Sequence, residues 1–451
     1  YQRIKEGKAK IVIGTRSAVF APVNNLGLIV MDEEQEQAYK SERTPRYSAK
    51  DVAKFRVRYN NAFLLMASAT PSVESYSNAL KGNYVLTEIK DRYGNANLPN
   101  VITVDMKDEM HSGNKTPISS VLREKLCETL DDGKQAILLI NRRGYNTFIA
   151  CNECGHIVMC PNCSISLTYH SHSNRLVCHY CGYSKKLDNI CPVCHSDAVR
   201  YSGYGTQRIE EEIASLFPDA RILRMDADTT TAKFSHQRLL DAFKNKEYDI
   251  LIGTQMVAKG LDFDDVSLVG VVNADNSLYD ESYTAGERSF DLITQVVGRA
   301  GRRNDTGCAV IQTVNPQNEV LRFASKQDYT GFYNNEIEMR RLMIYPPFCD
   351  IFCVGCSGEN ENTVAMCAKR FFEQIVKLNK ESFADVKIVI LGPTPAKISK
   401  INNTFRYRLA IKCKNNSKIR QMITLALKDI HKDKILSKVN ISVSLNPPDI
   451  S

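Results

Sequence analysis

The 451-residue sequence has 59 Lys and Arg against 51 Asp and Glu, a net charge of +8, with 43% hydrophobic residues. These values are typical of a globular chain with room for about three domains of roughly 150 residues each. The mild positive charge permits a nucleic-acid partner without requiring one. No run of about 18 apolar residues occurs, so we expect no membrane span and a cytoplasmic protein.

Short apolar runs recur along the first 330 residues, among them KIVIG, LGLIVMD, AFLLMASAT, QAILLIN, ARILRMD, DILIGT, SLVGVVNAD and GCAVIQT. Amphipathic segments of helix length, such as SAKDVAKFRVRYN and TQRIEEEIASLF, lie between several of them. This alternation predicts α/β layers with parallel sheets. Polar residues follow the runs at the strand ends where open α/β sheets bind ligands. These residues are Asp32, Ser68, Asn141, Asp226, Thr254 and Asp275.

The beginning of the chain resembles the middle of a domain. Tyr1 lies in what reads as the end of a helix that leads into KIVIG, so we expect a fragment whose N-terminus lies upstream. The run LGLIVMD continues into Asp32 and Glu33, as many ATPases present the carboxylates that hold Mg²⁺ and polarise water. The usual partner of such a pair, the phosphate-binding loop G-x-x-x-x-G-K-[ST], is absent from the sequence.

Between Cys151 and Cys194 the alternation of apolar runs and amphipathic segments stops. This segment has four C-x-x-C pairs, namely Cys151/Cys154, Cys160/Cys163, Cys178/Cys181 and Cys191/Cys194. Two such pairs complete a tetrahedral site, so eight thiolates predict two closed, structural zinc sites. Fourteen residues separate Cys163 from Cys178, which fits a zinc ribbon, whereas only five separate Cys154 from Cys160. We therefore expect the inner two pairs to share one ion and the outer two pairs to share the other.

Other roles for the cysteines are less favoured. Four disulfides would need an oxidising compartment, yet seven further cysteines lie scattered through apolar stretches, as reduced thiols do. His156, His179 and His195 border a full set of thiolates and are not needed as ligands. Cys349, Cys353 and Cys356 have the spacing of some iron–sulfur ligands, but an extended strand would point them to opposite faces.

Three further motifs are modest signals individually: SATPS at 68–72, GTQMVAKGLDF at 253–263 and QVVGRAGR at 295–302. SATPS alone also fits a strand end followed by a capped helix start. In this order, after the acidic pair, the motifs are the parts of a two-lobed helicase motor.

Together with DEEQEQAYKSERTPRYSAKDVA, LLINRRGYN, the eight-cysteine insert, YPPF and LGPTPAKISKINNTFRYRL, these motifs make the sequence resemble the primosomal protein N′ family, bacterial replication-restart DNA helicases of superfamily two. The resemblance implies RecA-like lobes with parallel sheets, a Cys-rich zinc insert in the second lobe and a C-terminal α+β domain. The expected limits are 1–95 for the end of the first lobe, 96–150 and 200–330 for the second lobe, 151–199 for the insert and 331–451 for the C-terminal domain. The family's DNA-binding domain and P-loop would precede Tyr1.

The resemblance also implies an activity. The family's helicases hydrolyse ATP, travel 3′–5′, recognise stalled or branched forks, unwind DNA and initiate primosome assembly. We expect ATP with Mg²⁺ and two structural Zn²⁺ as cofactors. Expected partners are branched and single-stranded DNA, primosome proteins and the single-strand DNA-binding protein, with the chain a monomer. The fragment alone is expected to be inactive.

Site residues carried over from the family fall into two sets. Asp32 would hold Mg²⁺, Glu33 would position the attacking water, and Arg299 and Arg302 would reach the γ-phosphate. Gln295, Gly260 and Asp262 complete the nucleotide set. The DNA set is Thr15, Arg16, Tyr39, Tyr47, Thr254 and Gln255, although ordinary packing also explains the two tyrosines. Gln35 departs from the family's usual His and cannot change charge, which puts the coupling of hydrolysis to DNA in question.

Two alternatives remain open. One is a zinc-bearing DNA-binding scaffold of the primosome that needs no ATPase activity, although the carboxylates and arginines of a phosphate site disfavour it. The other is an RNA helicase with a zinc insert, which the cysteine insert and YPPF disfavour.

Overall fold

The computed structural model describes residues 1–41, 45–89, 98–140, 148–151, 158–162, 166–170, 175–178, 181–186, 190–191, 193–196, 199–202, 206–225, 235–254, 263–278, 282–300 and 307–447. Contacts divide the chain into two compact units. The first contains 1–88 and 346–348, and the second contains 89–345 and 349–451. Within the described residues, no helix has both the length and the hydropathy needed to cross a membrane.

The first unit is built around two parallel strands. Its elements are α1 (Gln2–Lys5), β1 (Leu28–Met31), α2 (Ala49–Asn60), β2 (Phe63–Met66) and α3 (Val73–Leu80), with short 3-10 helices at Arg16–Phe20 and Gln37–Tyr39. β1 and β2 pair in register, so both end at the same edge. Ser48 and Ser72 cap α2 and α3 by accepting a backbone N–H, which satisfies donors that the first helical turn leaves open.

The second unit begins with an α/β lobe that contains the cysteine-rich insert. Its elements are β3 (Asn100–Asp105), α4 (Met106–His111), α5 (Ser120–Asp131), β4 (Gln135–Ile140), β5 (Phe148–Cys151), β6 (Thr168–His170), β7 (Arg175–Val177), β8 (Ser184–Lys186), β9 (Val199–Ser202), α6 (Thr206–Leu216), β10 (Ile222–Met225), α7 (Ser235–Lys244), β11 (Ile250–Gly253), β12 (Val266–Val272), α8 (Asp275–Leu278), α9 (Ala285–Val297), β13 (Cys308–Thr313), α10 (Glu319–Ser325) and α11 (Tyr329–Leu342).

Six of these strands form a parallel sheet in the order β10-β11-β4-β12-β13-β3. The central strand β4 is buried at every position, because helices cover both faces of such a sheet, and this explains its uninterrupted apolar run. Gly270 in β12 leaves room for Leu138 and Leu122, since a Cβ there would lie 2.6 Å from the Leu138 side chain. The parallel α/β lobe predicted from the apolar runs is confirmed.

A small antiparallel sheet interrupts this lobe between β4 and α6. Its strand order is β8-β7-β6-β5-β9. β5 enters the insert and β9 leaves it, and the two are paired, with Cys151 opposite Val199. The paired entry and exit strands agree with a module inserted into the lobe.

The C-terminal part has the order strand, helix, two strands, helix, strand. The elements are β14 (Asp350–Gly358), α12 (Glu361–Glu381), β15 (Ile388–Ile401), β16 (Thr404–Cys413), α13 (Ser417–Lys432) and β17 (Asn440–Leu445). The antiparallel sheet has the order β15-β16-β14-β17, a ferredoxin-like arrangement. Both helices contribute buried residues to one core with the sheet, among them Phe371, Ile375, Met422 and Val354. The predicted fold class, parallel lobes with a Cys-rich insert and a C-terminal α+β domain, is confirmed.

Candidate functional site

The carboxyl edge of β1 and β2 joins two of the sequence motifs. The Ser68 hydroxyl donates to Gln35 Oε1 at 2.6 Å, and Gln35 Nε2 donates to Glu33 Oε2 at 2.7 Å. Asp32 is exposed beside them, and its Oδ1 accepts the Glu33 N–H at 3.0 Å. Glu33 has a φ of 47°, a left-handed backbone that is uncommon for a residue with a side chain. Asp32, Glu33, Gln35 and Ser68 therefore form one hydrogen-bonded edge.

Glu34 is a functional neighbour that the sequence reasoning missed. It is only 2% exposed and pairs with Lys50 of α2. Its Oε1 accepts the Ser72 N–H at 2.7 Å, and Oε2 accepts the Ser75 hydroxyl at 3.0 Å. Burial alone would raise the pKa of Glu34, but the Lys50 charge and the hydrogen bonds from Lys50 and Ser72 hold it below its ordinary value. Glu34 thus anchors the acidic loop to the start of α3.

Tyr39 and Tyr47, from the predicted DNA-sensing segment, both contact the small core of the first unit. The Tyr39 hydroxyl donates to the Asp32 carbonyl at 2.7 Å. Burial, followed by the nearby Asp32 and glutamate charges, raises the pKa of Tyr39. Tyr47 meets Phe20 edge-on with ring centroids 4.9 Å apart. Packing against this core therefore explains much of the placement of both tyrosine side chains, and the Tyr39 hydroxyl also contacts the acidic loop.

Arg16 holds this aromatic segment in place. Its NH1 donates to the carbonyls of Ala38 at 3.1 Å and Lys40 at 2.6 Å, and its guanidinium lies 5.8 Å from the centre of the Tyr47 ring. Thr15 is exposed just before it. Of these two predicted DNA residues, Arg16 is thus directed toward the protein, and Thr15 is open to solvent.

The remaining described motif residues belong to the second unit. Gln295 lies in the last turn of α9, and Arg299 follows it, with its N–H bonded to the Val296 carbonyl at 2.9 Å. Thr254 follows β11 at the carboxyl edge of the six-stranded sheet. Gln255, Gly260, Asp262 and Arg302 lie outside the described residues, as do Asn141 and Asp226.

Helix α9 is fixed by a buried ion-pair cluster that the sequence did not indicate. Arg340 of α11 is 1% exposed and contacts Glu287 of α9 at 2.6 Å and Glu336 at 2.8 Å. Phe290 stacks on Phe332 beside it, with ring centroids 4.3 Å apart. Burial raises the pKa of Glu336, Arg340 opposes that shift, and Glu287 adds to it.

Asp275 has a structural role among the described residues. Its carboxylate is buried and accepts the Thr313 hydroxyl at 2.7 Å and the Val314 N–H at 2.9 Å. These bonds tie the ends of β12 and β13 together, so its place after a strand does not mark a ligand contact.

Three thiols of the predicted inner zinc site converge. The sulfur atoms of Cys160, Cys178 and Cys181 all lie within 4.8 Å of one another, and Cys160 Sγ is 3.7 Å from Cys181 Sγ. Cys160 and Cys178 are buried and Cys181 is half-buried. Cys163 lies outside the described residues. A cluster of sulfur ligands fits zinc, which prefers tetrahedral thiolate sites.

The outer cysteines are described only in part. Cys191 is buried and its sulfur accepts the Val193 N–H at 3.4 Å, while Cys194 lies close by on the same turn. Cys151 ends β5 opposite Val199, five positions after Cys194. Cys154 and the side chain of Cys151 lie outside the described residues, together with His156 and His179.

The three cysteines with the spacing of iron–sulfur ligands do not converge on a common point. Cys356 belongs to the core on one face of β14, Cys353 is three positions away on the opposite face, and Cys349 precedes the strand. Burial raises the pKa of the Cys349 thiol to about 11, which disfavours a thiolate.

Two family models match parts of the chain. Residues 160–186 match the model of the PriA DNA helicase Cys-rich region domain, and residues 341–448 match that of the primosomal protein N C-terminal domain. Among solved structures, RecG bound to a three-way DNA junction gives a TM-score of 0.38 at 14% identity, covering 70% of this chain and 30% of that one. That likeness is too low to add to the fold described above.

Curated relatives match almost the whole chain. Replication restart protein PriA of Bacillus subtilis is 42% identical over 447 residues, covering 99% of this chain and 55% of the relative. PriA of Borreliella burgdorferi is 36% identical, with 99% and 66% covered. PriA of Rickettsia felis is 36% identical, with 98% and 67% covered. The chain thus spans about half to two thirds of its relatives' length, and it belongs to the replication restart protein PriA family of DNA helicases.

Proposed function

We propose that this chain is the part of an ATP-dependent, 3′–5′ DNA helicase that couples nucleotide hydrolysis to DNA in replication restart. The observation that carries the proposal is the hydrogen-bond chain Ser68–Gln35–Glu33 at the carboxyl edge of two parallel strands. It makes the acidic loop and the SATPS segment one mechanical unit. Through these hydrogen bonds, a displacement of Glu33 is transmitted to the end of β2, and a displacement of β2 is transmitted to Glu33.

The nucleotide chemistry is assigned to a few side chains. Asp32, exposed at the strand end, would hold Mg²⁺, which neutralises phosphate charge when bound. Glu33 accepts the proton of the attacking water, and its carboxylate is oriented by the Gln35 amide. Arg299 and Arg302 stabilise charge on the transferred phosphoryl group, because guanidinium groups match its oxygens. Gln295, Gly260 and Asp262 complete this set.

Gln35 fills the position where the family usually has His. An amide both donates and accepts, so it can bridge Ser68 and Glu33 at any physiological pH, whereas an imidazole changes charge. We infer that the coupling in this protein is independent of pH at this position. The two hydrogen bonds that the amide makes support this inference.

The DNA contacts are assigned by exposure and hydrogen bonding. Thr15 and Thr254 offer hydroxyls for phosphates, with Gln255 beside the second of these, which suits sequence-independent tracking along a strand. Arg16 acts differently, by holding the Ala38–Lys40 backbone and the Tyr47 ring. Tyr39 links that segment to Asp32 through its hydroxyl, so DNA bound near the tyrosines can affect the acidic loop.

The insert and the C-terminal domain are assigned to contacts at the replication fork. Two structural zinc ions shape the insert, one on Cys160, Cys163, Cys178 and Cys181 and one on Cys151, Cys154, Cys191 and Cys194. The insert and the C-terminal domain at 331–451 contact branched and single-stranded DNA, primosome proteins and the single-strand DNA-binding protein. The motor is divided as 1–95 for the first lobe and 96–150 with 200–330 for the second. The protein acts as a cytoplasmic monomer.

Strand separation on a forked DNA tests the proposal. The whole protein should unwind the fork when ATP and Mg²⁺ are present, and Arg299→Ala should lower the rate at least about a hundredfold, as for loss of a charge-stabilising donor. Arg123→Ala, an exposed arginine of α5, is the matched control and should behave as wild type. Binding of the fork without ATP-dependent unwinding by the wild type would favour the scaffold.

A further inference from the structure

The hairpin formed by β15 and β16 ends in a two-residue turn at Asn402 and Asn403. Both residues have positive φ, 46° and 57°, and Ile401 pairs with Thr404 to close the turn. Asparagine tolerates this left-handed backbone better than most residues, so the sequence favours a tight tip here. Near the tip, the Lys400 ammonium lies 5.2 Å from the centre of the Phe405 ring. The tip is therefore well defined, although it projects from the core of the C-terminal domain.

This tip touches the zinc-ribbon segment at the cysteine pair itself. The Asn403 N–H donates to the Asn162 carbonyl at 2.9 Å. Asn162 lies between Cys160 and Cys163, inside one C-x-x-C pair. The Asn162 amide nitrogen is in turn 4.0 Å from Cys181 Sγ, within reach of a weak hydrogen bond to sulfur.

Apolar packing supports the same contact. Ile401 packs against the small cluster of Cys160, Leu167, Leu176 and Cys178. That cluster is the insert's core among the described residues, and two of its four buried members are cysteines. Such a small core has little apolar area to stabilise it, because hydrophobic stabilisation scales with the apolar area removed from water. A side chain supplied by another domain is therefore a substantial part of it.

We propose that the hairpin tip, through Ile401 and the Asn403 N–H, is a positioning element for the inner thiolate site. Atoms outside the ligand shell fix ligand orientation and commonly change metal affinity about 10–100-fold. The Asn403–Asn162 bond sets the backbone direction between Cys160 and Cys163, and Ile401 holds Cys160 and Cys178 against the cluster. Zinc retention in the insert then depends on the C-terminal domain, although the two are far apart in sequence. This inference rests on the zinc assignment proposed above.

Zinc release measures this dependence directly. The chain, loaded with zinc, is mixed with a chromogenic chelator, and the release of each ion is followed in time. Ile401→Ser should release one of the two ions about tenfold faster or more, because the outer site has no contact with the tip among the described residues and provides an internal control. Asn403→Pro, which removes the N–H donor, should act in the same direction.

Conservative variants separate positioning from general destabilisation. Ile401→Val keeps an apolar contact, and Asn403→Gly keeps the N–H donor and allows positive φ, so both should release zinc as wild type does. Cobalt substitution adds a second readout, since thiolate–cobalt absorption should change in Ile401→Ser and stay unchanged in Ile401→Val. Circular dichroism of the whole chain checks that each variant is folded.

The outcomes distinguish this inference from the zinc assignment. A chain that binds no zinc overturns the assignment itself. Two bound ions with identical release in Ile401→Ser, Asn403→Pro and wild type overturn the role of the tip and leave the zinc sites standing. Equal acceleration of both ions in the folded variants also contradicts the proposal, since within the described part of the chain the hairpin contacts the inner site alone.

Discussion

At the scale of single residues, neighbouring side chains of the acidic loop have different roles. Asp32 is exposed, Glu33 is held by Gln35, and Glu34 is buried against Lys50, Ser72 and Ser75. Three consecutive carboxylates thus face three different environments. The third carboxylate fixes the loop to α2 and α3, and this holds the first two, to which we assign the nucleotide chemistry, at the strand end.

Glu34→Gln should destabilise the first unit by about 2–4 kcal/mol, since it leaves the Lys50 ammonium partly buried without its charge partner. The lowered pKa of Glu34 also adds stability that is present above its ordinary value of 4.5 and lost as pH falls through the folded pKa. Urea unfolding at pH 7 and at pH 4 measures both effects. Glu6→Gln, which breaks the exposed pair with Lys8, is the control and should cost less than about 1 kcal/mol. Equal losses in the two variants would refute the anchoring role.

Gln35→Ala should lower the DNA-stimulated kcat for ATP about tenfold, an effect worth about 1.4 kcal/mol in the barrier. Ser68→Ala should have a similar effect, and the double variant should be little worse than either, because both remove one connected bridge. Steady-state ATP hydrolysis with saturating single-stranded DNA measures the cycle. Gln37→Ala is the matched control. Additive losses would mean that the two residues act separately.

At the scale of elements, α9 and α11 are joined by the Arg340 cluster. One guanidinium bridges two carboxylates in a place where water is excluded. Helix α9 also leads directly to Arg299. The stability of this joint therefore bears on how firmly the predicted phosphate-contacting arginine is held.

Arg340→Met should destabilise the second unit by about 3–5 kcal/mol, because it leaves the buried Glu287 and the half-buried Glu336 without a cation. Because the pKa of Glu336 is raised in the folded state, protonation of this carboxyl adds to the free energy of unfolding below its ordinary pKa of 4.5, and this addition is lost as pH rises. The penalty of Arg340→Met should therefore shrink in acid. Arg341→Met is the matched control, since Arg341 is 61% exposed in its pair with Glu338. Urea unfolding should show less than about 1 kcal/mol for the control. A penalty that grows in acid would contradict this reading.

The elements that the sequence predicted are those with local signals. The apolar run QAILLI became β4, which is buried at every position as a central parallel strand should be. The run LGLIVM became β1, where Leu28 and Val30 are exposed, so its apolar character predicted the strand but not the burial. The sulfur atoms of Cys160, Cys178 and Cys181 converge, as the C-x-x-C spacing predicts for a metal site. Glu34 and Arg340 looked like ordinary charged residues, since Lys50 lies 16 positions from Glu34 and Glu287 lies 53 positions from Arg340. The sequence likewise gave no sign of the contact between Asn403 and Asn162, because the way in which two distant segments pack together is not visible in the local sequence.

At the scale of the whole molecule, zinc content tests the insert. We predict two zinc ions per chain by elemental analysis, and one ion in Cys178→Ser, because Cys178 is buried at the inner site. Cys127→Ser, an exposed cysteine of α5, should retain two. One ion in the wild type, or visible iron–sulfur absorption, would refute the nested pairing.

The central claim is that the family's helicase motor operates through the acidic loop, and ATP hydrolysis by the whole protein tests it most directly. We predict hydrolysis that rises when single-stranded DNA is added and falls at least about a hundredfold in Asp32→Asn, since the amide cannot hold Mg²⁺ as a carboxylate does. Asp219→Asn, in an exposed turn, should match the wild type. Hydrolysis that is unaffected by Asp32→Asn, or no hydrolysis by a whole protein that still binds forked DNA, would contradict the account.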